Sequence, residues 1–447
     1  MSDIARDGGG LMAGDITVGL DIGTTSVKAL AVDADGTVLA RSRIPHEVFA
    51  PTPDIHEHNA LEAWYEGPRR AVAELGVADF VGIGVASMVP SMTAVDDDGR
   101  PMTPGLLYGD HRGRTSDHAV DPLNSGEYRA MLDWTIQQAP NARGYWTAPA
   151  VAAAALGGTP VLDIGTGVAL APLWDGDWQA DRLAEIGLRP EQMPVISMSN
   201  DSPSGWIGKA AQAPGMADAW AEATVAGATG VGDALVICGT TLIIWCALAE
   251  PMLVDGLWSF PHPYIQGLTM LAGASNAGGM FINWARRTLA GATVQLEPES
   301  LPVWVPYVRG ERTPLHDPSR RASLHDAHIG QDSAALMRAA YEAAGFVVRR
   351  QLDQAGSQTR RIVASGGGVH DEEWMQALAD CTGVPVDVVA VPEGAALGAA
   401  WYGRMAAGLE PLEGVARWVR HGRRYEPDPR WLPHCEERYQ RWRTLAD

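Results

Sequence analysis

Cysteine is scarce in this sequence, and the few cysteines present form neither a metal-binding nor a redox pattern. Four occur in 447 residues, at Cys238, Cys246, Cys381 and Cys435, and no two are spaced as Cys-x-x-Cys. This excludes a small fold held together by disulfides, and it gives no indication of a structural zinc site. A reduced, cytoplasmic protein is the simplest interpretation.

Basic residues are scarce relative to acidic ones. Lys and Arg total 34 against 54 Asp and Glu, so the formal net charge at pH 7 is −20. This balance argues against a protein that binds DNA or RNA through its phosphates. It does not exclude a small anion held by backbone amides, because that interaction is local.

Long apolar runs are also missing. No segment reaches the roughly 20 apolar residues that a membrane-spanning helix needs. The first residues, "MSDIARDGGGLMAG", lack the apolar core of a signal peptide. We therefore expect no membrane partner and interpret residues 1–14 as a disordered tail.

The composition that remains is typical of a globular protein, with 46% hydrophobic and 20% charged residues. The length predicts two or three domains. Near the N-terminus, residues 18–32 alternate and are rich in Val, Leu and Ile, an Asp-Gly turn follows, and a second strand returns. Residues 332–356 predict a long amphipathic helix.

A short pattern occurs twice, about half the chain apart. "VGLDIGTTSVKALAV" around Gly23 and "LVICGTTLIIWCAL" around Gly239 both read as strand, Gly-Thr-Thr, strand. Matching flanks on both sides favour a duplicated domain over a chance match. We predict two α/β domains of similar design, residues 15–229 and 230–447, with a cleft between them.

Each Gly-Thr-Thr turn has the chemistry of a phosphate cradle. Glycine lets backbone amides point at one place, and the two hydroxyls add donors. The predicted cradle residues are Gly23, Thr24 and Thr25 in the first turn, and Gly239, Thr240 and Thr241 in the second. Two such cradles favour a ligand with several phosphates, clamped across the cleft.

Asp21 and Lys28 flank the first turn on strands that are otherwise apolar. Beside phosphates, a carboxylate such as Asp21 can hold Mg²⁺, and Lys28 can balance charge. The alternative is an ordinary hairpin with a solvent-facing Lys28. A third glycine loop, Gly366, Gly367 and Gly368, lies between a predicted strand and a predicted helix, where it either admits a flat ligand or serves as a flexible turn.

Six segments in order resemble the FGGY carbohydrate kinases over nearly the whole chain. They are "DIGTTSVKALAVDADG", "DDDGRPMTPGLLYGDHRG", "CGTT", "PYVRGERTPLHDPSRR", "SGGGVHDEEWMQALAD" and "EGAALGAA". The resemblance implies a two-domain, actin-like (ribonuclease H-like) α/β fold. It also implies that ATP and Mg²⁺ bind in the cleft and that the γ-phosphate passes to a sugar hydroxyl.

The resemblance also implies roles for individual residues. Asp21 to Lys28 match the first phosphate loop, Cys238 to Thr241 match the second, and Gly366 to Gly368 match the glycines beside adenosine. Asp218 falls where the family has its catalytic base, although "PGMAD" replaces the usual glycine run. The alternative for Asp218 is a helix N-cap, which Asp favours.

The sugar site departs from the family pattern. Asp110 and Arg112 match a Trp-x-Asp-x-Arg segment in which Tyr108 replaces Trp, and Val89 and Pro90 stand where xylulokinases have Met-His. His56 and His58 are interpreted as surface histidines and not as a metal pair.

Three hypotheses for function follow from the sequence. The first is a sugar kinase acting on a ketopentose such as xylulose, or alternatively on gluconate or another polyol. The second is a kinase-fold protein that binds its ligands but transfers little phosphate, and the third is an actin-like or Hsp70-like ATPase. The expected partners are ATP and a small sugar, and a homodimer stays open as an alternative to a monomer.

Overall fold

Two mixed β-sheets with helices on their faces form the framework of the protein. The structure is a computed structural model that describes residues 16–52, 54–113, 127–262, 265–289, 297–356 and 359–447. The predicted tail, residues 1–14, lies outside the described residues. Within the described ranges, no helix combines the length and the apolar character that crossing a bilayer requires.

The strands are numbered in chain order. They are β1 (Thr17–Ile22), β2 (Ser26–Val32), β3 (Val38–Pro45), β4 (Val48–Phe49), β5 (Glu57–His58), β6 (Gly82–Ser87), β7 (Ser91–Val95), β8 (Gly105–Leu107), β9 (Gly144–Trp146), β10 (Val161–Asp163), β11 (Val195–Ser197), β12 (Gly205–Ile207), β13 (Ala210–Gln212), β14 (Met216–Ala217), β15 (Asp233–Cys238), β16 (Leu242–Leu248), β17 (Trp258–Pro261), β18 (Thr269–Ser275), β19 (Val303–Val305), β20 (Ser323–His325), β21 (Arg361–Ser365), β22 (Val386–Val389) and β23 (His421–Tyr425).

The α-helices are numbered in the same way. They are α1 (Gly67–Glu74), α2 (Glu127–Gln138), α3 (Ala148–Ala155), α4 (Ile164–Val168), α5 (Ala180–Ala184), α6 (Asp218–Ala226), α7 (Gly279–Thr288), α8 (Ser333–Gln354), α9 (Glu372–Thr382), α10 (Gly394–Ala406) and α11 (Leu432–Ala446). A π-helical segment, Leu61–Glu66, leads into α1, and a 3₁₀ turn, Gly367–His370, leads into α9.

The two large sheets share one topology. In the N-terminal sheet the order is β12-β13-β6-β1-β2-β3, with β14 as a seventh strand that also pairs with β6, and in the C-terminal sheet the order is β17-β18-β16-β15-β21-β22-β23. The first strand of each half pairs antiparallel with its hairpin partner and parallel with a later strand: β1 with β2 and β6, and β15 with β16 and β21. The strand–Gly-Thr-Thr–strand repeat is therefore one repeated hairpin at the centre of each sheet.

Three smaller sheets complete the strand pairing. They are the five-stranded β4-β5-β8-β7-β9 and the pairs β10-β11 and β19-β20. The strand β1 is buried along its whole length, as a strand at the centre of a covered sheet must be. The helices α8, α9 and α11 cover one face of the C-terminal sheet and form the largest apolar cluster.

Two helices are exchanged between the halves. The late helix α10 packs on β1 and β6 of the N-terminal sheet, and a Cβ atom on Gly84 of β6 would lie 2.2 Å from the carbonyl oxygen of Ala399. The earlier helix α6 packs its Ala219 and Trp220 against Leu235 and Trp245 of the C-terminal sheet. The halves are therefore packed together through these helices.

The exchanged helices also contact each other. A Cβ atom on Gly398 of α10 would lie 1.9 Å from the carbonyl oxygen of Ala221 in α6, so only glycine allows this approach. The predicted division at residues 229 and 230 falls in the loop between α6 and β15. It stays a prediction.

Candidate active site

One large cleft contains most of the residues that the sequence predicts for the site. Its cavity volume is about 1030 Å³. The predicted residues that line it are Asp21, Gly23, Thr24, Thr25, Lys28, Val89, Asp218, Gly239, Thr240, Thr241, Gly366, Gly367 and Gly368. Pro90, Asp110 and Arg112 are not among the residues that line this cavity.

The two Gly-Thr-Thr turns contribute to the same cavity because each closes the central hairpin of its sheet. The first is braced from below: His58 Nε2 lies 2.8 Å from the carbonyl oxygen of Thr24, and Trp64 Nε1 donates to His58 Nδ1 at 3.0 Å. In the second, the carbonyl oxygens of Gly239 and Thr240 accept hydrogen bonds from the first amides of α7. Both turns are thus held in place by their own half of the chain.

The buried position of His58 and His56 shows that their interpretation as surface histidines was wrong. They are 1% and 2% exposed. Burial lowers the pKa of His58 to about 3 and that of His56 to about 4, so both are neutral at pH 7. His58 contacts the first Gly-Thr-Thr turn and His56 contacts the carbonyl oxygen of Tyr108, contacts that a sequence pattern does not reveal.

Asp21 and Lys28 lie opposite each other across the β1–β2 hairpin. Asp21 is 6% exposed, and its Oδ2 atom is 3.3 Å from Lys28 Nζ. The neighbouring carboxylate of Asp21 is the main cause of the raised pKa of Lys28. The acid in the strand is therefore partly neutralised by its cross-strand partner and still lines the cleft.

Asp218 is the first residue of α6, directly after β14. The N-cap of α6 is Ala217, so the alternative interpretation of Asp218 as the N-cap was wrong. Asp218 Oδ1 accepts a hydrogen bond from the Ala219 amide at 2.7 Å. Burial, followed by the negative charge of Asp21, raises the pKa of Asp218 to about 8. A carboxylate poised near neutral pH can accept a proton from a substrate hydroxyl.

Glu222 is a cleft residue that the sequence reasoning missed. It lies one helical turn after Asp218 on α6 and is 6% exposed. Burial is the main cause that raises its pKa to about 7. The available signal was its spacing: Asp218 and Glu222 are four residues apart, so they share one face of an otherwise alanine-rich helix.

The glycine loop joins β21 to α9 at the C-terminal side of the cleft. Beside it, Asp371 caps α9 by accepting the Trp374 amide at 3.2 Å, and the Tyr341 hydroxyl donates to Asp371 at 2.8 Å. Arg286 of α7 pairs with the same carboxylate. These groups form a polar wall that no local motif indicated.

Asp110 and Arg112, which the sequence predicts for the sugar site, form an ion pair outside the lining of the cavity. Asp110 is fully buried, accepts the His56 amide at 2.8 Å and pairs with Arg112 Nη2 at 2.7 Å. Arg112 also pairs with Glu57 at 2.5 Å. Their predicted contact with substrate stays a prediction, because their described contacts are within the protein.

Tyr108, which replaces the family tryptophan, does line the cleft. Its hydroxyl is 2.9 Å from Thr24 Oγ1 in the first phosphate turn. The guanidinium carbon of Arg312 lies 5.4 Å from the Tyr108 ring centre and 5.8 Å from that of Trp258. Aromatic rings, a guanidinium and Asp218 thus surround this end of the cleft.

A Gly-Thr-Thr turn from each half and an acid between them line one cleft, an arrangement that fits a two-lobed phosphotransferase with the actin-like fold. Family models describe the FGGY family of carbohydrate kinases, N-terminal domain, over residues 16–130 and its C-terminal domain over residues 234–407. The chain belongs to this family and is a sugar kinase.

Relatives of known function differ in substrate. The chain is 26% identical to a xylulose kinase from Escherichia coli (88% of this chain, 90% of the relative). It is 22% identical to a gluconokinase from Bacillus subtilis (96% and 93%) and 25% identical to a glycerol kinase from Bordetella parapertussis (98% and 97%).

Solved structures agree with the fold. A xyloylose kinase from Brucella ovis matches at a TM-score of 0.81 with 23% identity, covering 96% of this chain and 98% of its own. A xylulose kinase from Rhodospirillum rubrum matches at 0.78 with 26% identity and the same coverage. The predicted two-domain actin-like fold is confirmed.

Proposed function

We propose that this chain transfers the γ-phosphate of ATP to a hydroxyl of a small sugar, with a ketopentose such as xylulose as the first candidate. The observation that carries the proposal is the convergence of two phosphate turns and Asp218 on one cavity. Positioning and charge stabilisation account for most of the catalysis of phosphoryl transfer. A cleft that holds both reactants between two lobes supplies that positioning.

The nucleotide would lie along the two turns and the glycine loop. The proposed donors for its phosphates are the amides of residues 24, 25 and 239–241 and the threonine hydroxyls, since the Gly23 amide donates to the carbonyl oxygen of Ser26. Gly366, Gly367 and Gly368 line the cavity beside the polar wall at Asp371, where adenosine would lie, and only Gly367 has open space next to it.

Mg²⁺ fits the donors present at the first turn. Asp21 supplies a buried carboxylate oxygen on the cavity wall, which is the ligand type that Mg²⁺ prefers. When bound, the ion would neutralise charge on the phosphates. Lys28 adds a positive charge next to the same carboxylate.

Asp218 is the proposed general base. Its carboxylate would accept the proton of the attacking sugar hydroxyl, and its raised pKa makes it a stronger base than an ordinary Asp. We propose that Val89, Pro90, Asp110 and Arg112 shape the sugar end, with Val89 at the cavity surface and the other three behind it.

A second candidate substrate is an aldonate such as gluconate. Arg312, which lines the cavity against Tyr108 and Trp258, places a guanidinium where a sugar carboxylate would be neutralised. The apolar Met88 and Val89 beside it offer little hydrogen bonding to a neutral polyol. These contacts support testing acid sugars alongside ketoses.

The test is ADP release with ATP and Mg²⁺ over a panel of ketopentoses, polyols and aldonates. We expect one substrate class to stimulate turnover and Asp218→Asn to lower that turnover by roughly 10²- to 10⁴-fold. Asp97→Asn, an exposed turn residue, is the matched control. Absence of stimulation by every compound would favour a binding protein with a kinase fold.

The setting of the enzyme is also a proposal. All four cysteines are buried free thiols. Buried thiols fit a reducing compartment, and we propose a cytoplasmic location.

A further inference from the structure

Two carboxylate oxygens in the cleft have no hydrogen-bond partner within the described chain. They are Glu222 Oε1 and Glu393 Oε2, and both side chains line the cavity that contains Asp21. Glu222 is 94% buried, since its exposed fraction is 6%. A buried carboxylate oxygen without a partner is costly, so such an atom indicates a bound cation or a bound proton.

Both glutamates lie near the contact between α6 and the start of α10. Glu222 lies on α6, and Glu393 is the N-cap residue of α10. A methyl group on Gly394, the first residue of α10, would lie 2.8 Å from Glu222 Oε1. The Glu222 carboxylate therefore sits against the residue that follows Glu393.

Negative charge is in excess at this point. Asp21, Glu222 and Glu393 all act on Lys28, whose ammonium is 3.3 Å from Asp21. Arg41 lies 3.6 Å from Glu393 Oε1 and is 53% exposed, and two further arginines, Arg43 and Arg420, line cavities that Glu222 also lines. Asp218 adds a further carboxyl group, and the negative charge of Glu222 contributes to the raised pKa of Asp218.

The acids do not converge on a single point. Among the described residues, the one group of three ligand-bearing side chains that approach within 4.8 Å of one another is Glu342, Cys381 and Cys435. The glutamate in that group is already paired with two arginines. The cavity wall thus carries Asp21 from β1 and, from α6 and the start of α10, Glu222 and Glu393.

We propose that Glu222 and Glu393 bind a second divalent cation, distinct from the ion assigned to Asp21. Ions such as Mg²⁺ and Mn²⁺ take oxygen ligands, retain several waters and need only one or two protein carboxylates. The open cavity has room for those waters. Because its ligands come from α6 and α10, the ion would join the two exchanged helices at the floor of the cleft.

The test is Mn²⁺ binding to the full chain without nucleotide or sugar, followed by electron paramagnetic resonance of the free ion and by calorimetry. Wild type should bind two ions. Glu222→Gln should bind one, or bind the second at least about tenfold more weakly. Glu393→Gln should do the same, and Asp21→Asn should remove the other ion.

Glu372→Gln is the matched control, because this glutamate lines the same cavity but is 67% exposed and pairs with Arg423. It should bind Mn²⁺ as wild type does. Wild-type stoichiometry and affinity in both Glu222→Gln and Glu393→Gln would overturn the proposal. Circular dichroism checks that each variant folds. If Glu222→Gln does not fold, Glu393→Gln, at a less buried position, still tests the proposal. The measurement needs no turnover, so a missing sugar substrate leaves its outcome unchanged.

Discussion

The raised pKa of Asp218 has a consequence for stability as well as for catalysis. In an unfolded chain this carboxyl group ionises near its ordinary pKa of 3.8, whereas in the folded protein it stays protonated up to about 8. Folding therefore favours the protonated form. The stability that Asp218 contributes is fully present below about pH 4 and is lost as the pH rises towards 8.

The size of this effect follows from the two pKa values. Each unit is about 1.4 kcal/mol, so the shift sets a ceiling of about 6 kcal/mol between pH 4 and pH 8. Asp218 is half-buried at the wall of an open cleft, and water there reduces the penalty. We therefore expect the contribution of Asp218 to the free energy of unfolding to change by about 2 to 3 kcal/mol between pH 4 and pH 8.

The perturbation is Asp218→Asn, which keeps the shape but cannot ionise. At pH 8 the variant should unfold at a higher urea concentration than wild type, and at pH 4 the two should coincide. Asp97→Asn, an exposed Asp in a turn, should show no such pH-dependent gain. Equal midpoint shifts at pH 4 and pH 8, or a loss of stability at pH 8, would refute the reasoning.

The same variant links stability to activity. Because kcat/KM reports ionisation of the free enzyme, wild-type kcat/KM should rise with pH and level off above about 8. Asp218→Asn should show neither the activity nor the pH dependence. Greater stability together with lost activity in Asp218→Asn is the expected result if the buried site disfavours the ionised carboxylate that catalysis needs.

Three further perturbations test other parts of the molecule. Gly84→Ala should destabilise the fold by about 1 to 3 kcal/mol in urea unfolding, because its methyl group would meet the Ala399 carbonyl oxygen at 2.2 Å; unchanged stability would mean that α10 is free to move away. Burial lowers the pKa of His58 to about 3, so below pH 6.5 the unfolded chain binds a proton at this side chain that the folded protein does not. Between pH 7 and pH 5, His58→Gln should therefore lose about 2 kcal/mol less stability than wild type. Equal losses of stability in the variant and the wild type would contradict this. Asp21→Ala should abolish ADP release but leave the circular dichroism and the urea midpoint unchanged. The fold should tolerate the change because Lys28, which loses its ion-pair partner, is 36% exposed and can be hydrated. Retained turnover would show that Asp21 is not a ligand of the metal.

The sequence predicted the features that depend on local pattern. The Gly-Thr-Thr hairpins, the placement of Asp21 and Lys28 on the strands that flank the first turn, and the glycine loop before α9 each lie within a short segment. Alternating apolar residues and turn glycines determine such segments directly. The repeat between the halves was visible for the same reason.

Features that depend on distant contacts were not visible in the sequence. Glu222 becomes a cleft residue because α6 crosses to the C-terminal sheet, and His58 becomes buried because the first phosphate turn lies on it. Asp371, the N-cap residue of α9, meets Arg286 of α7 only in the folded chain. Each of these depends on residues brought together by the tertiary fold, which no spacing rule contains.

The placement of α10 also affects how the chain can be made. Gly84 reaches its packing partner only when residues near Ala399 exist, more than 300 residues later in translation. At roughly 5 to 20 residues per second, the ribosome leaves β1 and β6 without their covering helix for roughly 15 to 60 s. One apolar face of the N-terminal sheet therefore stays uncovered by α10 until the polypeptide is almost complete. Chaperones that bind exposed apolar surfaces can act during that interval.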